Sequence, residues 1–243
     1  MKENDITEIA FKNSKFLEST EARTLRISSE YLEPLARLNE WKVNNTVLFL
    51  GSSKADPEEK DSPLTKYYWE GEELAYNLTK WAIKLKPKGK NFVICTGGGP
   101  GIMEAANRGA SRAEGKSVGM NISLHEKQFL NPYIPPELSF IFHYFFMRKF
   151  WLIYKAKAVV AFPGGYGTLD EVFEILTLVQ TNKISKDHLV IILYGEEYWR
   201  KIISFETLLK YKTISPEDLK LFHYCSTPKE AYSFLIERLI KFL

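Results

Sequence analysis

A glycine-rich segment, Pro163–Glu171, contains the residues whose types are best suited to binding or catalysis. Its sequence is Pro-Gly-Gly-Tyr-Gly-Thr-Leu-Asp-Glu. It follows an apolar run and opens a stretch whose apolar residues recur at helical spacing. Glycines ahead of a helix let a phosphate approach backbone amides, and the helix start adds a positive dipole end. Asp170, Glu171 and Glu174 lie off the apolar stripe, near the mouth where ligands bind in open α/β sheets. The segment predicts an anion-binding loop beside acidic side chains.

The same segment also has a structural interpretation. Thr168 and Glu171 match a capping box, in which each side chain satisfies a backbone N–H of the other, and first-turn carboxylates stabilise a helix through its dipole. A capping box explains the threonine and the glutamate. It does not explain three glycines within four residues, Gly164, Gly165 and Gly167.

A second glycine loop, Thr96–Gly101, lies between an apolar run and a helical pattern that begins at Ile102. Gly98 and Gly99 in this loop are candidates for close approach to a phosphate. Ile102 stands where a dinucleotide-binding fingerprint has its last glycine, and the Gly-Lys-Ser/Thr of a P-loop is missing. A tight structural turn is the alternative. Two such loops together favour an anion site more than either does alone.

A pair of cations, Arg148-Lys149, lies inside a strongly aromatic stretch, residues 140–151. Arginine presents a planar fork suited to a phosphate or to the polar edge of a base. The alternative for the pair is a solvated helix position bonded to a nearby carboxylate. The surrounding aromatic residues indicate core or a subunit interface.

Short apolar runs that alternate with helical patterns must position these loops. The predicted strands are 46–50, 91–95, 117–122, 158–162, 189–194 and 221–225, and the predicted helices are 27–43, 64–85, 102–114, 145–155, 169–180 and one from about 228. This alternation predicts an α/β fold with a Rossmann-like, doubly wound, mostly parallel sheet and helices on both faces. Residues 1–24 predict a polar, mobile tail, and residues 25–243 a single domain that includes an N-terminal docking helix.

Composition excludes several classes of protein. The 243 residues are 45% hydrophobic, which excludes global disorder, and the net charge of +3 is too small for a nucleic-acid footprint. Cys95, Cys225 and the four histidines show no metal-type spacing. The first 20 residues do not resemble a signal peptide, and the apolar runs are far shorter than a membrane span. We therefore expect a soluble, cytoplasmic protein that binds neither nucleic acid nor membrane.

The motifs together resemble the LOG ("Lonely Guy") family of cytokinin-activating phosphoribohydrolases, whose members are often mislabelled lysine decarboxylases. The resemblance is carried by 163–171, Met147-Arg148-Lys149 and 96–104, with Gly51-Ser52-Ser53 matching the opening loop. It covers about residues 45–235, and 124–134 is similar to the longer subgroup of the family. A substrate-contacting glutamate of the short plant-type enzymes has no counterpart here, because Leu130 stands at that spacing, and the position stays unassigned.

The resemblance implies a homodimer or larger assembly that hydrolyses the N-glycosidic bond of adenosine-type nucleoside 5′-monophosphates, AMP or N6-modified adenylates, to free base and ribose 5-phosphate. By matching position it implies Arg148 and Glu171 as the catalytic pair, and no metal or organic cofactor. The residues expected around the nucleotide are Lys149, Gly164, Gly165, Tyr166, Gly167, Thr168, Asp170 and Thr177, with Gly98, Gly99 and Ser52 from the other loops.

The chemistry agrees with these residues. Cleavage passes through an oxocarbenium-like state, so Glu171 could stabilise positive charge and activate water, while Arg148 could clamp phosphate or polarise the leaving base. One alternative is a nucleotide sensor of the same fold without hydrolysis, against which the intact Arg148 and Glu171 argue. Another is a single-stranded-DNA processing protein, which would need a basic groove that this charge balance disfavours.

Overall fold

The structure, a computed structural model, describes residues 8–85, 91–123 and 131–242. The strands in these ranges are β1 Thr46–Leu50, β2 Val93–Thr96, β3 Ser117–Ile122, β4 Ser139–Phe142, β5 Ala156–Ala161, β6 Val190–Tyr194 and β7 His223–Cys225. They pair in parallel throughout, in the order β4-β3-β2-β1-β5-β6-β7. β1 is buried along its whole length, which accounts for its uninterrupted apolar sequence.

Helices pack on both faces of the sheet. Those of the described residues are α1 Ser14–Leu17, α2 Arg23–Glu40, α3 Thr65–Leu85, α4 Ile102–Arg112, α5 Phe145–Tyr154, α6 Tyr166–Gln180, α7 Glu196–Ile202, α8 Phe205–Lys210 and α9 Pro228–Leu239. One core, which contains Phe49 and Leu74, lies between the sheet and α3, α4 and α9. The other, which contains Leu48 and Trp151, lies on the face covered by α2, α5 and α6. Adjacent residues of β1 thus serve opposite faces, and the predicted doubly wound α/β sheet is confirmed.

The chain reverses its direction across the sheet at β1. It runs from β1 to β4 toward one edge and then returns to β5, which pairs with the other side of β1 and sets Leu50 opposite Ala161. Loops diverge at such a point and leave a crevice beyond the carboxyl ends of the strands, where ligands bind in open α/β sheets. The loops that follow β1, β2 and β5 carry Ser52 and the two glycine motifs.

Several elements differ from the predictions. β4 forms within the stretch predicted as core or interface, and it buries Phe140 and Phe142 but exposes Ile141, the alternation of an edge strand with one covered face. α7 and α8 have seven and six residues and are too short to produce a helical repeat in the sequence. α6 begins at Tyr166 rather than at residue 169.

The described part of the predicted N-terminal tail contains α1 and a 3₁₀ turn, Ala10–Lys12. Arg26 of α2 donates from Nη1 to the carbonyls of Leu17 and Ser19, each at 2.6 Å. Part of the segment predicted as a mobile tail is therefore attached to the docking helix.

Candidate active site

Three loops meet at the crevice beyond β1, β2 and β5. Ser52, which follows β1, donates its backbone N–H to the carbonyl of Pro163 at 3.0 Å. The carbonyl of Ser52 accepts from the N–H of Ile102, also at 3.0 Å. These two bonds join both glycine loops to the loop after β1, so all three form one surface.

Some of the glycines are required by the packing of these loops. Gly98 and Gly101 have φ angles of 75° and 71°, which residues with a Cβ rarely adopt. A Cβ at Gly101 would lie 2.2 Å from the carbonyl oxygen of Ser52, and one at Gly164 would lie 2.2 Å from Oγ1 of Thr168. A structural role accounts for these three glycines.

Gly165 and Gly167 are different, because a Cβ at either position would meet no atom within 4 Å other than its chain neighbours and, for Gly167, the backbone of its own helix. Gly165 is the N-cap of α6, and Gly167 lies in its first turn, where backbone amides lack partners within the helix. Packing of the described residues does not explain these two glycines. The open space beside them would allow an anion to approach the amides.

Arg148 of α5 and Glu171 of α6 form an ion pair between the two glycine loops, with 2.9 Å from Nη1 to Oε1. Each side chain is only 13% exposed. Arg148 also donates from Nε to the carbonyl of Met120 in β3 at 2.8 Å. A Cβ at Gly97 would lie 2.4 Å from Nη2 of Arg148, so the guanidinium lies directly against the first glycine loop.

Burial raises the pKa of Glu171, and the charge and hydrogen bond of Arg148 act in the opposite direction. A carboxyl group with a raised pKa beside a fixed cation is suited to exchange a proton during a reaction. Cys95, at the end of β2, is different, since burial raises its pKa to about 12. Its thiol stays protonated at neutral pH and is not a nucleophile.

Lys149 contacts two carboxylates of α6, Asp170 at 3.0 Å and Glu174 at 2.7 Å. Burial opposes the charge of Lys149, but the two ion pairs outweigh this effect and raise its pKa. Arg148 and Lys149 are thus both bonded to carboxylates, as the structural alternative predicted. Arg148, however, is largely buried rather than solvated.

The capping box predicted as an alternative for Thr168 and Glu171 is wrong. α6 begins two residues before Thr168, its N-cap is Gly165, and no side chain caps it. Thr168 is buried beside Gly164, and Glu171 bonds to Arg148. Capping therefore does not account for Glu171.

Thr177 is set apart from the ion pair. It lies six residues after Glu171 on α6, about 9 Å further along the helix axis, and its hydroxyl donates to the carbonyl of Phe173. Tyr166 lies at the crevice and is almost fully exposed. Leu130 and most of the segment that is similar to the longer subgroup lie outside the described residues.

A buried polar network, which the motifs did not reveal, supports the first glycine loop. Thr96 donates from Oγ1 to Oδ1 of Asn107 at 2.7 Å and accepts from the N–H of Gly98 at 2.9 Å. Asn107 in turn donates to Ser117 at 2.8 Å. Asn121 of β3 lies beside Gly98, and its buried Oδ1 has no partner among the described residues. The sequence signal was weak, single asparagines within otherwise apolar patterns.

One group of metal-ligand side chains lies away from this site. Ligand atoms of His223, Cys225 and Glu230 lie within 4.8 Å of one another, although their sequence spacing matches no metal motif. Glu230 accepts from the N–H of Ser226 at 2.8 Å, as part of the start of α9, and burial raises the pKa of Cys225 to about 12. Glu230 therefore has a structural role at the start of α9.

Comparisons with known proteins agree with the fold and the motifs. The model of a family described as "Possible lysine decarboxylase" matches residues 103–235, somewhat more than half of the chain. A stretch of 93 residues is 32% identical to "Probable cytokinin riboside 5′-monophosphate phosphoribohydrolase LOGL6" of Oryza sativa subsp. japonica. That stretch is 38% of this chain and 35% of the rice protein, so the match spans about a third of the length of the curated relative.

Two solved structures share the fold. The X-ray structure of TM1055, a structural-genomics target, has a TM-score of 0.56 and 22% identity, over 79% of this chain and 99% of that one. The molybdenum cofactor carrier protein of Chlamydomonas reinhardtii has a TM-score of 0.54 and 18% identity, over 82% of this chain and 99% of that one. At these identities the comparison concerns the fold alone.

Proposed function

The chain belongs to the LOG family, for which "Possible lysine decarboxylase" is the family description, and on this premise we propose that it is a hydrolase of nucleotides. Its substrates are adenosine-type nucleoside 5′-monophosphates, either AMP or N6-modified, cytokinin-type adenylates. Cleavage of the N-glycosidic bond gives the free base and ribose 5-phosphate. The name of the rice relative describes an activity of this class. Because the match covers only a third of that protein, the proposal rests on the geometry of the site.

The observation that carries it is the ion pair of Arg148 and Glu171 between two glycine loops at the reversal point of the sheet. A carboxylate held there can face a sugar whose phosphate is bound by the amides at the start of α6. The open space at Gly165 and Gly167 leaves room for that phosphate. Binding the 5′-phosphate at a fixed distance from Glu171 would orient the ribose and lower the entropic part of the barrier.

The proposed step uses one water and no cofactor. The C1′–N bond breaks, the base leaves with its electron pair, and positive charge develops on the ribose, where the carboxylate of Glu171 stabilises it. Water adds to C1′ and passes a proton to Glu171, while the leaving base takes up a proton from solvent. Glu171 then releases its proton to solvent, so one water is consumed for each bond cleaved. Arg148 helps to keep the buried Glu171 ionised, and it also clamps the phosphate or polarises the leaving base.

Lysine decarboxylation is not part of the proposal. A Schiff-base lysine needs a neutral amine, which a lowered pKa supplies. Lys149, in contrast, has a raised pKa because two carboxylates bond to it. A lysine that is held charged by two carboxylates does not suit covalent catalysis.

The test is to incubate the purified chain with AMP, other nucleoside monophosphates and isopentenyladenosine monophosphate, and to measure free base and ribose 5-phosphate. We expect release from adenylates, and the relative rates will rank AMP against the modified substrate. No release from any of them, with binding still measurable by calorimetry, would contradict the proposal.

Binding without hydrolysis is the second candidate function. It is favoured by the mutual ion pair, since Arg148 and Glu171 already satisfy each other in the free protein. A carrier of the molybdenum cofactor is also known on this fold, as the name of the Chlamydomonas protein indicates. A nucleotide recovered intact after prolonged incubation would support this candidate over hydrolysis.

A homodimer or larger homo-oligomer is part of the proposal, supported by exposed aromatic side chains on α5. None of the helices in the ranges described is long and apolar enough to cross a bilayer. We propose a small-molecule nucleotide as the ligand and the cytoplasm as the location; both remain predictions from composition and motifs.

A further inference from the structure

α5, the helix that carries Arg148 and Lys149, begins without a cap of its own. Its N-cap residue is Tyr144, whose side chain makes no capping hydrogen bond, and its first turn contains no acidic residue. The first amides of a helix need acceptors, and a negative charge near them is stabilising. An acceptor must therefore come from elsewhere in the chain.

Glu30 of α2 supplies acceptors to the two residues that lead into α5. Its Oε1 accepts from the backbone N–H of His143 at 2.7 Å, and its Oε2 accepts from the N–H of Tyr144 at 3.3 Å. The backbone carbonyl of Glu30 accepts from Nε1 of Trp151, further along α5, at 2.9 Å. One residue of the docking helix thus holds α5 at its start and in its middle.

Tyr144 connects Glu30 to the ion pair of Arg148 and Glu171 through backbone hydrogen bonds. The carbonyl of Tyr144 accepts from the backbone N–H of Arg148 at 3.1 Å and from that of Met147 at 3.1 Å. Tyr144 therefore has its amide bonded to Glu30 and its carbonyl bonded to the amide of Arg148. Any shift at the start of α5 moves the Cα of Arg148, and with it the guanidinium that bonds to Glu171.

Aromatic packing beside Glu30 also joins α2 to α5. The ring of Tyr31 lies 5.7 Å from those of Phe150 and Trp151, so α2 and α5 also meet through aromatic side chains. The guanidinium of Arg23 lies over the ring of Tyr144, 5.7 Å from its centroid. α2 precedes residues 103–235, so the helix that packs against α5 lies outside the residues that the family model matches.

We propose that Glu30 is a positioning residue for Arg148, which it orients through the start of α5 without touching the reacting atoms. Its effect on turnover rests on the proposed hydrolase function; its effect on the geometry of α5 does not. The docking helix α2 is therefore part of the site rather than a separate appendage.

The test compares Glu30→Gln with Glu33→Gln in the full chain. Glutamine keeps the shape and one acceptor oxygen but loses the charge and the second acceptor. Glu33 lies one turn later on α2 and pairs with Arg37 of the same helix, so its variant controls for the loss of a carboxylate from α2. For each variant we would measure kcat and KM with the adenylate that the wild type cleaves fastest, the melting temperature, and hydrogen exchange at the amides of Met147 and Arg148.

We expect Glu30→Gln to lower kcat about tenfold with KM within about twofold, and Glu33→Gln to behave as wild type. Exchange at Met147 and Arg148, which do not contact Glu30, should be faster in Glu30→Gln alone. Equal kcat in the two variants, or a lower melting temperature without a change in kcat, would overturn the proposal. If the wild type cleaves no substrate, the proposed function is wrong, and hydrogen exchange becomes the test of the positioning role. Equal exchange rates at Met147 and Arg148 in the two variants would then overturn the role of Glu30.

Discussion

Arg148 and Glu171 each make the charge of the other tolerable in a crevice where both side chains are largely buried. Burial raises the pKa of Glu171 although Arg148 opposes the shift, so folding holds a proton on this group more tightly than the unfolded chain does. The stability that Glu171 contributes is therefore greatest below its ordinary pKa and is lost as pH rises through the raised value. At neutral pH its charge serves the site rather than the fold.

Glu171→Gln should abolish turnover while leaving the fold intact. We expect kcat for adenylate cleavage to fall about 10³-fold, because the general base and the stabilising charge are both lost. The melting temperature at neutral pH should stay close to that of the wild type, because the amide oxygen of glutamine can still accept from Nη1 of Arg148. Activity and thermal melting would be measured beside Glu197→Gln, which removes a surface ion pair with Lys201. A large drop in melting with retained turnover would make Glu171 structural.

The pH dependence of activity should show the raised pKa of Glu171. The reaction needs the ionised carboxylate, so kcat/KM should fall as pH decreases, with the midpoint above the ordinary value of 4.5. The substrate phosphate also titrates, with a pKa of about 6, so Glu171 must be titrated directly in the free protein by carbon NMR. A pKa for Glu171 at or below 4.5 would contradict this assignment.

Gly167→Ala separates folding from phosphate binding. The new Cβ meets open space in the first turn of α6, so stability should rise by about 0.5 to 1 kcal/mol, as for other glycines in helices. KM for the monophosphate should rise, because the methyl group would occupy room proposed for the phosphate. Gly71→Ala in α3, where a Cβ makes ordinary contacts of 3.6 Å or more, is the control and should leave KM unchanged. An unchanged KM in Gly167→Ala would show that the phosphate does not bind at this loop.

Among the helices, α3 and α4 meet closely and so fix the first glycine loop, which leads into α4. Arg112 of α4 bonds to the buried carboxylate of Glu72 of α3 through Nε at 2.6 Å and Nη2 at 3.0 Å. Gly109 of α4 faces the backbone of α3, and a Cβ there would lie 2.2 Å from the carbonyl oxygen of Glu72. Backbone atoms cannot move aside as the end of a side chain can.

Gly109→Ala should therefore force the two helices apart. We expect a loss of about 2 kcal/mol in the free energy of unfolding, in the range of other overpacked cores. Urea denaturation would measure it, with Gly71→Ala, on the same helix pair, as the variant that should lose nothing. Equal stability of the two variants would show that α3 and α4 do not pack as closely as described.

Taken as a whole, the molecule exposes an aromatic face beside its candidate site. Phe145, Phe146, Phe150 and Tyr154 of α5 are 58%, 51%, 38% and 47% exposed. Contiguous exposed apolar side chains are uncommon on monomers and are typical of interfaces between subunits. The prediction of a subunit interface in this stretch remains open, and the exposure of α5 supports it.

Phe146→Glu combined with Phe150→Glu should convert an assembly into monomers. We expect the wild type to have at least a dimeric mass at micromolar concentration by light scattering, because a face of this kind buries aromatic area when two copies pair. Tyr211→Glu changes an exposed aromatic residue elsewhere and should leave the mass unchanged. A monomeric wild type would exclude the interface.

Local patterns along the chain were sufficient to predict the doubly wound sheet, most strand positions and the two glycine loops. Strand and helix periodicity depend on residues a few positions apart, and a loop between a strand and a helix is visible at that range. The same short range also makes Thr168 and Glu171 resemble a capping box, although no side chain caps α6. Short elements such as α7 and β4 lack a repeat and were missed.

The partners of the charged side chains depend on the folded arrangement instead. Arg148 and Glu171 are 23 residues apart, and Glu30 and His143 are 113 apart, so no sequence spacing indicates these contacts. The same holds for the glycines, since Gly164 is explained by the hydroxyl of Thr168 while Gly165 and Gly167 face open space. A motif shows which residue types are present; whether they pack, pair or remain free for a ligand is set by what the parallel sheet brings beside them.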